Sequence, residues 1–490
     1  GLKPILVINK VDRKDARPQE VVNETFDLFA SLGATDEQLD FPIFYGSGRD
    51  GWLSGDLNTR TENTFPLLDK ILDHVSAPQV DDNAAFSMLA TIIQRDNFLG
   101  RIVTGRIYGG KAKVGQSVKL FDRDGKVLER GRISKLMTFR GLEKIAVDEA
   151  YAGDIVAIAG LQNVYVSHTI CDEAVANPLP AQPIDPPTLA MTFGVNDSPL
   201  AGQEGKKLTS REIGARLMAE AETNVGLRIE PSTTTESFRV MGRGELQLSV
   251  LIETMRREGY ELSISRPEVI FREENGQKLE PYEDVIVDVD DTYAGVVMEK
   301  MGLRRAELKD MVSDHHGKQR LVFYAPSRGM IGYRNEFLTD TRGTGVLNRQ
   351  FRDYGPLKSA PVTRRNGVLV SMEAGVLVPY ALFNLEDRGV MFVEPGNPVY
   401  DGMIIGENAK DDDLEVNPIK EKKLTNIRAA GKDEAVRLTP PRQITLEYAL
   451  TYIQDDELVE VTPKAIRLRK KGLDTNTRKK LKRAIDAGAA

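Results

Sequence analysis

The sequence predicts a multidomain chain made of an α/β part, a β-barrel, two ferredoxin-like α+β parts and a strand-rich C-terminal part, and three patterns predict it. A continuous β-branched run, Ile5 to Ile8, precedes a helical pattern and a second strand. Short alternating segments punctuated by glycine fill Ala85 to Cys171. The order strand, helix, strands, helix, strand then occurs twice, from Leu189 to Arg272 and from Glu280 to Tyr354. With 490 residues, 41% hydrophobic and 28% charged, the chain can bury several cores.

An unbroken apolar run such as Ile5 to Ile8 fits a strand of a parallel sheet covered on both faces. The next segment places Val22, Phe26 and Phe29 on one helical face, with Gly33 as its stop. A second strand, Phe41 to Tyr45, runs into Gly46-Ser47-Gly48, and a second helix carries Leu68, Ile71, Leu72 and Val75. This is one end of a doubly wound sheet. Ligands of such sheets bind at the C-terminal ends of strands, where Asn9 to Asp12 and Tyr45 to Gly48 fall. The stretch "SAPQVDDNAA" reads as a linker, with a boundary near residue 79.

Glycine-spaced alternation, as in "GRIVTGRIYGGKAKVGQSVKLFDRDGKV" and "YAGDIVAIAGL", suggests a closed antiparallel barrel. The two repeated orders each fit a split β-α-β sandwich, with helices at Ser210 to Thr223, Glu245 to Glu258, Gly295 to Arg305 and Gly332 to Thr341. Leu246, Val250, Leu251 and Met255 form the apolar face expected of the second of these, which Gly259 ends. From Gly355 to Ala490 the pattern is strand-rich, has a helical segment around Leu446 to Gln454, and matches no standard fold.

Several function classes drop out. No apolar run approaches the ~18 residues of a membrane span and no signal peptide opens the chain, so a cytoplasmic protein is expected. Cys171 is the single cysteine, which excludes an internal disulfide; with only His74, His168, His315 and His316, no Cys/His zinc site assembles. H-E-x-x-H, G-x-S-x-G and C-x-x-C are absent, His315-His316 reads as a solvated loop, and Asp122 to Gly125 reads as a hairpin turn. The net charge is -7, yet from Val461 onward ten Lys or Arg face two acids, a segment near +8 on a body near -15. Such a segment either neutralises phosphates or is simply solvated.

Asn9, Lys10, Val11 and Asp12 spell N-K-x-D. An aspartate carboxylate accepts from two adjacent guanine donors; adenine lacks that pair and would leave a buried acceptor unpaired at a cost of ~1–3 kcal/mol. Asp12 would set base specificity, Asn9 would bridge base and loops, and the stem of Lys10 would cover one purine face. Backbone N–H groups of Gly46, Ser47 and Gly48 would bond the guanine carbonyl. The preceding strand and the second loop give the tetrapeptide its context. Against it, G-x-x-x-x-G-K-[ST] occurs nowhere in the sequence, so the β- and γ-phosphates and Mg²⁺ lack their usual ligands here. Arg243 in "MGRGELQLS" and Arg328 in "PSRGMIGYR" stand in glycine-rich turns, where a guanidinium grips RNA phosphate or caps a helix, the structural use being favoured.

The succession of guanine-reading loops, barrel, "MGRGELQLSVLIETMRREGYEL" and "PSRGMIGYRNEFLTDTRGTG" resembles ribosome-associated translational GTPases related to elongation factor G. Only "EENGQKLEPY" separates the two split β-α-β segments, where elongation factor G has a further domain; "KKLTNIRAAGKDEAVRL", "ITLEYAL" and "DDELVEVTPKAIRLRKK" are similar to the BipA/TypA branch and not to LepA. The resemblance runs from Gly1 to about Lys480. It implies a part of the GTP-binding domain over 1–78, a translation-factor barrel over 79–183, domains of elongation factor G type III and V over 184–273 and 274–356, and a family-specific RNA-contacting domain over 357–490.

The resemblance further implies GTP and GDP as ligands with Mg²⁺, and hydrolysis coupled to large-subunit assembly and to translation under cold or stress. Implied partners are both ribosomal subunits and A-site tRNA, bound by a monomer without membrane contact. In the family the phosphate loop, switches and catalytic histidine precede the segment matching Gly1, so the chain as given is expected to lack the first part of its GTP-binding domain and to be inactive alone, with no catalytic residue of its own. The family's second loop is usually Ala-Ser-Ala, whereas this chain has Gly46-Ser47-Gly48. Lys422, Lys423, Asn426, Arg428 and Lys432 would reach tRNA, and Lys464, Arg467, Arg469, Lys470 and Lys471 would add electrostatic affinity. With aromatics at 7% and not interleaved with these basics, recognition by shape and backbone is expected. The alternative is a ribosome- or RNA-binding module that uses no nucleotide.

Overall fold

The computed structural model describes residues 2–77, 79–232, 236–313, 317–359, 366–421 and 437–486. The chain forms two compact units, one of residues 1–89, 104–161 and 169–179, the other of 90–103, 162–168 and 180–490.

In the first unit, strand Leu6–Asn9 runs parallel to Ile43–Ser47, with Asn9 opposite Gly46, and Trp52–Ser54 lies antiparallel beyond. The observed second strand starts and ends two residues later than expected, so Gly46 and Ser47 belong to the strand and Gly48 begins the loop. Helices Pro18–Ser31 and Phe65–His74 each start with Pro in the first turn. Neither helix buries a residue completely, and Phe65 and Leu72 are 62% and 83% exposed, because the sheet they flank has only three strands. Phe29 still packs edge-on against Phe41, with ring centroids 5.3 Å apart.

An eight-stranded antiparallel sheet follows, running in space from Glu143–Ala146 at one end to Val127–Arg132 at the other. It surrounds fully buried Ile107, Val118, Leu120, Ile133, Leu136, Val156 and Ile170. Asp122 to Gly125 do turn the chain between Ser117–Phe121 and Val127–Arg132, with Gly125 at φ 89°.

In the second unit, Leu189–Val195 lies between Ser237–Gly242 and Leu262–Ile264, and Arg228–Pro231 flanks the former. That strand order, with helices Ser210–Thr223 and Glu245–Arg257 between strands, is the order of a split β-α-β unit. Gln277–Asp290 likewise lies between Val346–Pro356 and Lys318–Pro326, with Glu307–Ser313 outside. The first sheet does not stop at its fourth strand. Leu262, Ser263 and Ile264 pair with Val461, Glu460 and Val459, and the sheet continues through Ile466–Lys470, Met403–Asn408, Val368–Ser371 and Leu414–Val416. One apolar core accordingly spans Leu189 to Leu468.

Two helix readings need correction. Helix Asp291–Leu303 starts four residues before Gly295, because Asp290 in extended conformation begins it and Asp291 favours its N-terminal dipole. Helix Glu245–Arg257 buries Leu248, Leu251, Ile252 and Met255, whereas Leu246 and Val250 are 63% and 57% exposed. The helix carries apolar residues on two faces, and periodicity alone picked parts of both. Helices Pro379–Glu386 and Thr475–Asp486 had no expected counterpart.

Candidate functional site

The two loops of the N-K-x-D region converge because their strands are adjacent and parallel. Asn9 joins them: its Oδ1 accepts the N–H of Lys10 at 2.8 Å and of Gly48 at 2.9 Å. The N–H of Val11 donates to the carbonyl of Gly46 at 3.2 Å, and Lys10 adopts φ 66°, turning the chain back toward the second loop. The Gly48 amide, expected to face a guanine carbonyl, is thus already bound to Asn9. A Cβ on Gly46 would stand 2.2 Å from the Trp52 carbonyl oxygen, so the strand pair closes only over glycine; at Gly48 a Cβ would meet Asn9 at an ordinary 3.5 Å.

Asp12, whose side chain is 22% exposed, accepts from Arg49 at 2.9 Å, and Arg49 also donates to Asp50 at 3.0 Å. The hydrogen bond from Arg49 holds the Asp50 carboxyl below the usual range. Sequence reading missed Arg49, because no local pattern shows which carboxylate an arginine 37 residues on will reach. A carboxylate at a loop edge, fixed by a guanidinium and keeping unused lone pairs, suits two adjacent N–H donors. This donor set fits a guanine base. Among the described residues no group of three or more His, Cys, Asp or Glu could hold a metal ion, so nothing here is assigned to Mg²⁺.

Lys422, Lys423, Asn426, Arg428 and Lys432 lie outside the described residues, as do His315 and His316. The other five basic positions separate into two groups. Lys464 and Lys471 are exposed. Arg467 is 10% exposed and bound to Glu204 and to Glu460, the latter at 3.2 Å; Arg469 is 1% exposed and bound to Asp197 and Ser263; Lys470 is 4% exposed among Asp413, Asp456 and Glu457 at 2.6, 2.8 and 2.9 Å. Burial works against the charge of Lys470, but Glu457, Asp413 and Asp456 outweigh it and hold its ammonium above its usual range. Charges neutralised inside a sheet do not face phosphate, so Arg467, Arg469 and Lys470 hold the fold together.

Arg328 pairs with the fully buried Glu280 at 3.0 Å and donates to the Lys358 carbonyl at 2.8 Å, a structural role. Arg243 caps nothing with its side chain: its N–H donates to Gln247 at 2.9 Å, its carbonyl accepts from Thr188 at 3.1 Å, and the residue is exposed.

Three family models match this sequence: TypA/BipA C-terminal domain over residues 366–475, elongation factor G C-terminus over 277–365, and elongation factor Tu domain 2 over 100–171. The Escherichia coli K12 protein named large ribosomal subunit assembly factor BipA is 50% identical over 485 residues, 99% of this chain and 80% of that protein. Its namesake in Bacillus subtilis is 47% identical over 481 residues, 98% of this chain and 78% of that protein. A crystal structure from Thermus thermophilus aligns over 69% of this chain and 67% of its own, at 15% identity and a TM-score of 0.42.

Proposed function

This chain belongs to the TypA/BipA family, and from that premise we propose that it is a ribosome-associated translational GTPase acting in large ribosomal subunit assembly and in translation under cold or stress. The reaction is hydrolysis of GTP to GDP and phosphate, with Mg²⁺. Residues 1–78 are the guanine-reading portion, 79–183 the translation-factor barrel, 184–273 and 274–356 the two elongation factor G-like units, and 357–490 the RNA-facing part. Asn9, Lys10 and Asp12 read the base, with Gly46 and Ser47 at the end of the adjacent strand and Gly48, tied to Asn9, opening the second loop beside them; the phosphates and the attacking water are assigned to none of the residues described here. Both ribosomal subunits and A-site tRNA are the partners of a cytoplasmic monomer, and Lys422, Lys423, Asn426, Arg428, Lys432, Lys464 and Lys471 face RNA phosphate. No helix among the described residues is long and apolar enough to cross a membrane.

The observation that carries the nucleotide reading is the pair of N–H bonds to Asn9 Oδ1, which sets Asp12 beside the second loop. Asp12→Asn tests it. Asparagine presents one acceptor and one donor, matching the N1–H and C2 carbonyl of xanthine in place of the two guanine donors. An unpaired donor costs ~1–3 kcal/mol, so preference should shift from GDP to XDP by about fivefold or more. An unchanged GDP preference in a binding titration would reject the reading.

A further inference from the structure

The two long glycine-rich motifs, far apart in sequence, meet at one cavity. Glu245, opening its helix, accepts the N–H of Gly332, 87 residues on, at 3.2 Å and so caps helix Tyr333–Asp340 of the second split β-α-β unit. Arg349 is consumed at this junction, held by Glu283 at 2.7 and 3.0 Å and by the Met330 carbonyl at 3.2 Å. Beside it opens a cavity of about 500 Å³ whose lining includes Arg243, Ser249, Arg334, Leu347, Phe351 and Glu447. The size falls in the range of small-ligand sites, ~300–1,000 Å³.

Arg243 and Arg334 are exposed, and neither guanidinium has a hydrogen-bond or ion-pair partner among the described residues. The hydroxyl of Ser249, a residue only 5% exposed, likewise has no hydrogen-bond partner among them. Phe351, Leu347 and Pro267 supply an apolar wall. We propose that this cavity binds a nucleotide unit, its phosphate between the Arg243 and Arg334 guanidiniums and its planar base against the Phe351 wall, with Ser249 and Asn335 bonding polar edges. A guanidinium matches phosphate geometry, two of them line this cavity, and an aromatic wall accepts any base by its π-face. The unit is either free in solution or one residue of a single-stranded RNA. The site is separate from the Asn9 to Asp12 loop and does not depend on how that loop is read. A unit seated here would touch both split β-α-β units and helix Leu446–Tyr452 at once.

The test titrates the full chain with AMP, which the guanine-reading loop discriminates against, and with a single-stranded hexameric oligoadenylate. Arg243→Gln with Arg334→Gln is expected to weaken binding about tenfold or more, as loss of charge-assisted hydrogen bonds does. Glu447→Gln removes an exposed lining carboxylate with no ion-pair partner among the described residues, and is expected to tighten binding by about two- to fivefold. A variant that merely damages the fold cannot tighten binding. Arginine-dependent binding of AMP identifies the free nucleotide as a ligand, and arginine-dependent binding of the hexamer alone identifies the strand. If neither probe binds, or if the arginine substitutions leave both affinities unchanged, the proposal is overturned.

Discussion

Glu261→Gln is the sharpest test of how the loop at 196–205 is held to the shared sheet. Glu261 is fully buried. Its Oε1 accepts from the backbone N–H of Glu204 at 3.1 Å and Gly205 at 2.6 Å, and its Oε2 accepts from Gly202 N–H at 2.9 Å and the Asn196 amide at 3.1 Å. Glutamine keeps one oxygen and turns an NH₂ group toward two of those donors. Asn196 cannot flip to help, because its Oδ1 already accepts from Ser198 and its Nδ2 also donates to Glu460. Two bonds are lost and two donors stranded, at ~1–3 kcal/mol each, or about 2–6 kcal/mol together. Native-state hydrogen exchange at Gly202, Glu204 and Gly205 reads this locally, and about 2 kcal/mol corresponds to roughly a 30-fold loss of protection. Burial raises the Glu261 carboxyl pKa, but the hydrogen bonds from Gly202, Gly205, Asn196 and Glu204 prevail and leave it below the usual range. A depressed carboxylate contributes stability above its unfolded pKa and loses it as pH falls through the folded one. The wild-type advantage should therefore be full at pH 7 and shrink below about pH 4. Equal protection of both proteins at pH 7 would refute the reasoning.

Gly46→Ala should force the Trp52 carbonyl away and raise proteolytic cutting within residues 1–77, while Gly48→Ala should leave cutting unchanged; limited proteolysis compares them. Cys171 is fully buried, and burial pushes its thiol up to about 11, so a thiol reagent at pH 7 should label it no faster than its strands open, a rate that rises with denaturant. Lys470→Met should destabilise the second unit by about 3–5 kcal/mol in denaturant melts, since it leaves the fully buried Glu457 without its cation.

Element type was legible wherever a segment's neighbours lie close in sequence. Helix Ser210–Thr223 was read with its bounds because Thr209 and Glu212 form a capping box at its start. The two-faced helix at 245–257 was read with its face displaced, because what it packs against includes helix Leu446–Tyr452, about 190 residues away. The N-K-x-D loop was legible as a local motif. Its tie to Gly48 through Asn9 follows from strand adjacency, which the α/β pattern does imply. The partner of Asp12 was not legible, since an arginine 37 residues on announces nothing about where its side chain ends.

The basic C-terminal segment shows why composition misplaces charge. Counted along the chain, Arg467, Arg469 and Lys470 look like one run with Lys464 and Lys471. In the antiparallel hairpin, however, Glu460 stands opposite Arg467 and Glu457 opposite Lys470, while the adjacent strand brings Ser263 beside Arg469. Cross-strand register sets two of these five charges, Arg467 and Lys470, against acids of the hairpin partner, and Arg469 is bound to Asp197, so three of the five are spent on ion pairs within the fold. Salt dependence of RNA binding counts only charges that release counterions on contact. A slope measured for this chain should therefore change when Lys464 or Lys471 is replaced by Gln, and the contribution of Arg467, Arg469 and Lys470 should show in melting curves instead. Where the charged residues of a strand alternate in sign with those of its hairpin partner, the first assignment to make is the sheet itself, and only the remainder is available to a ligand.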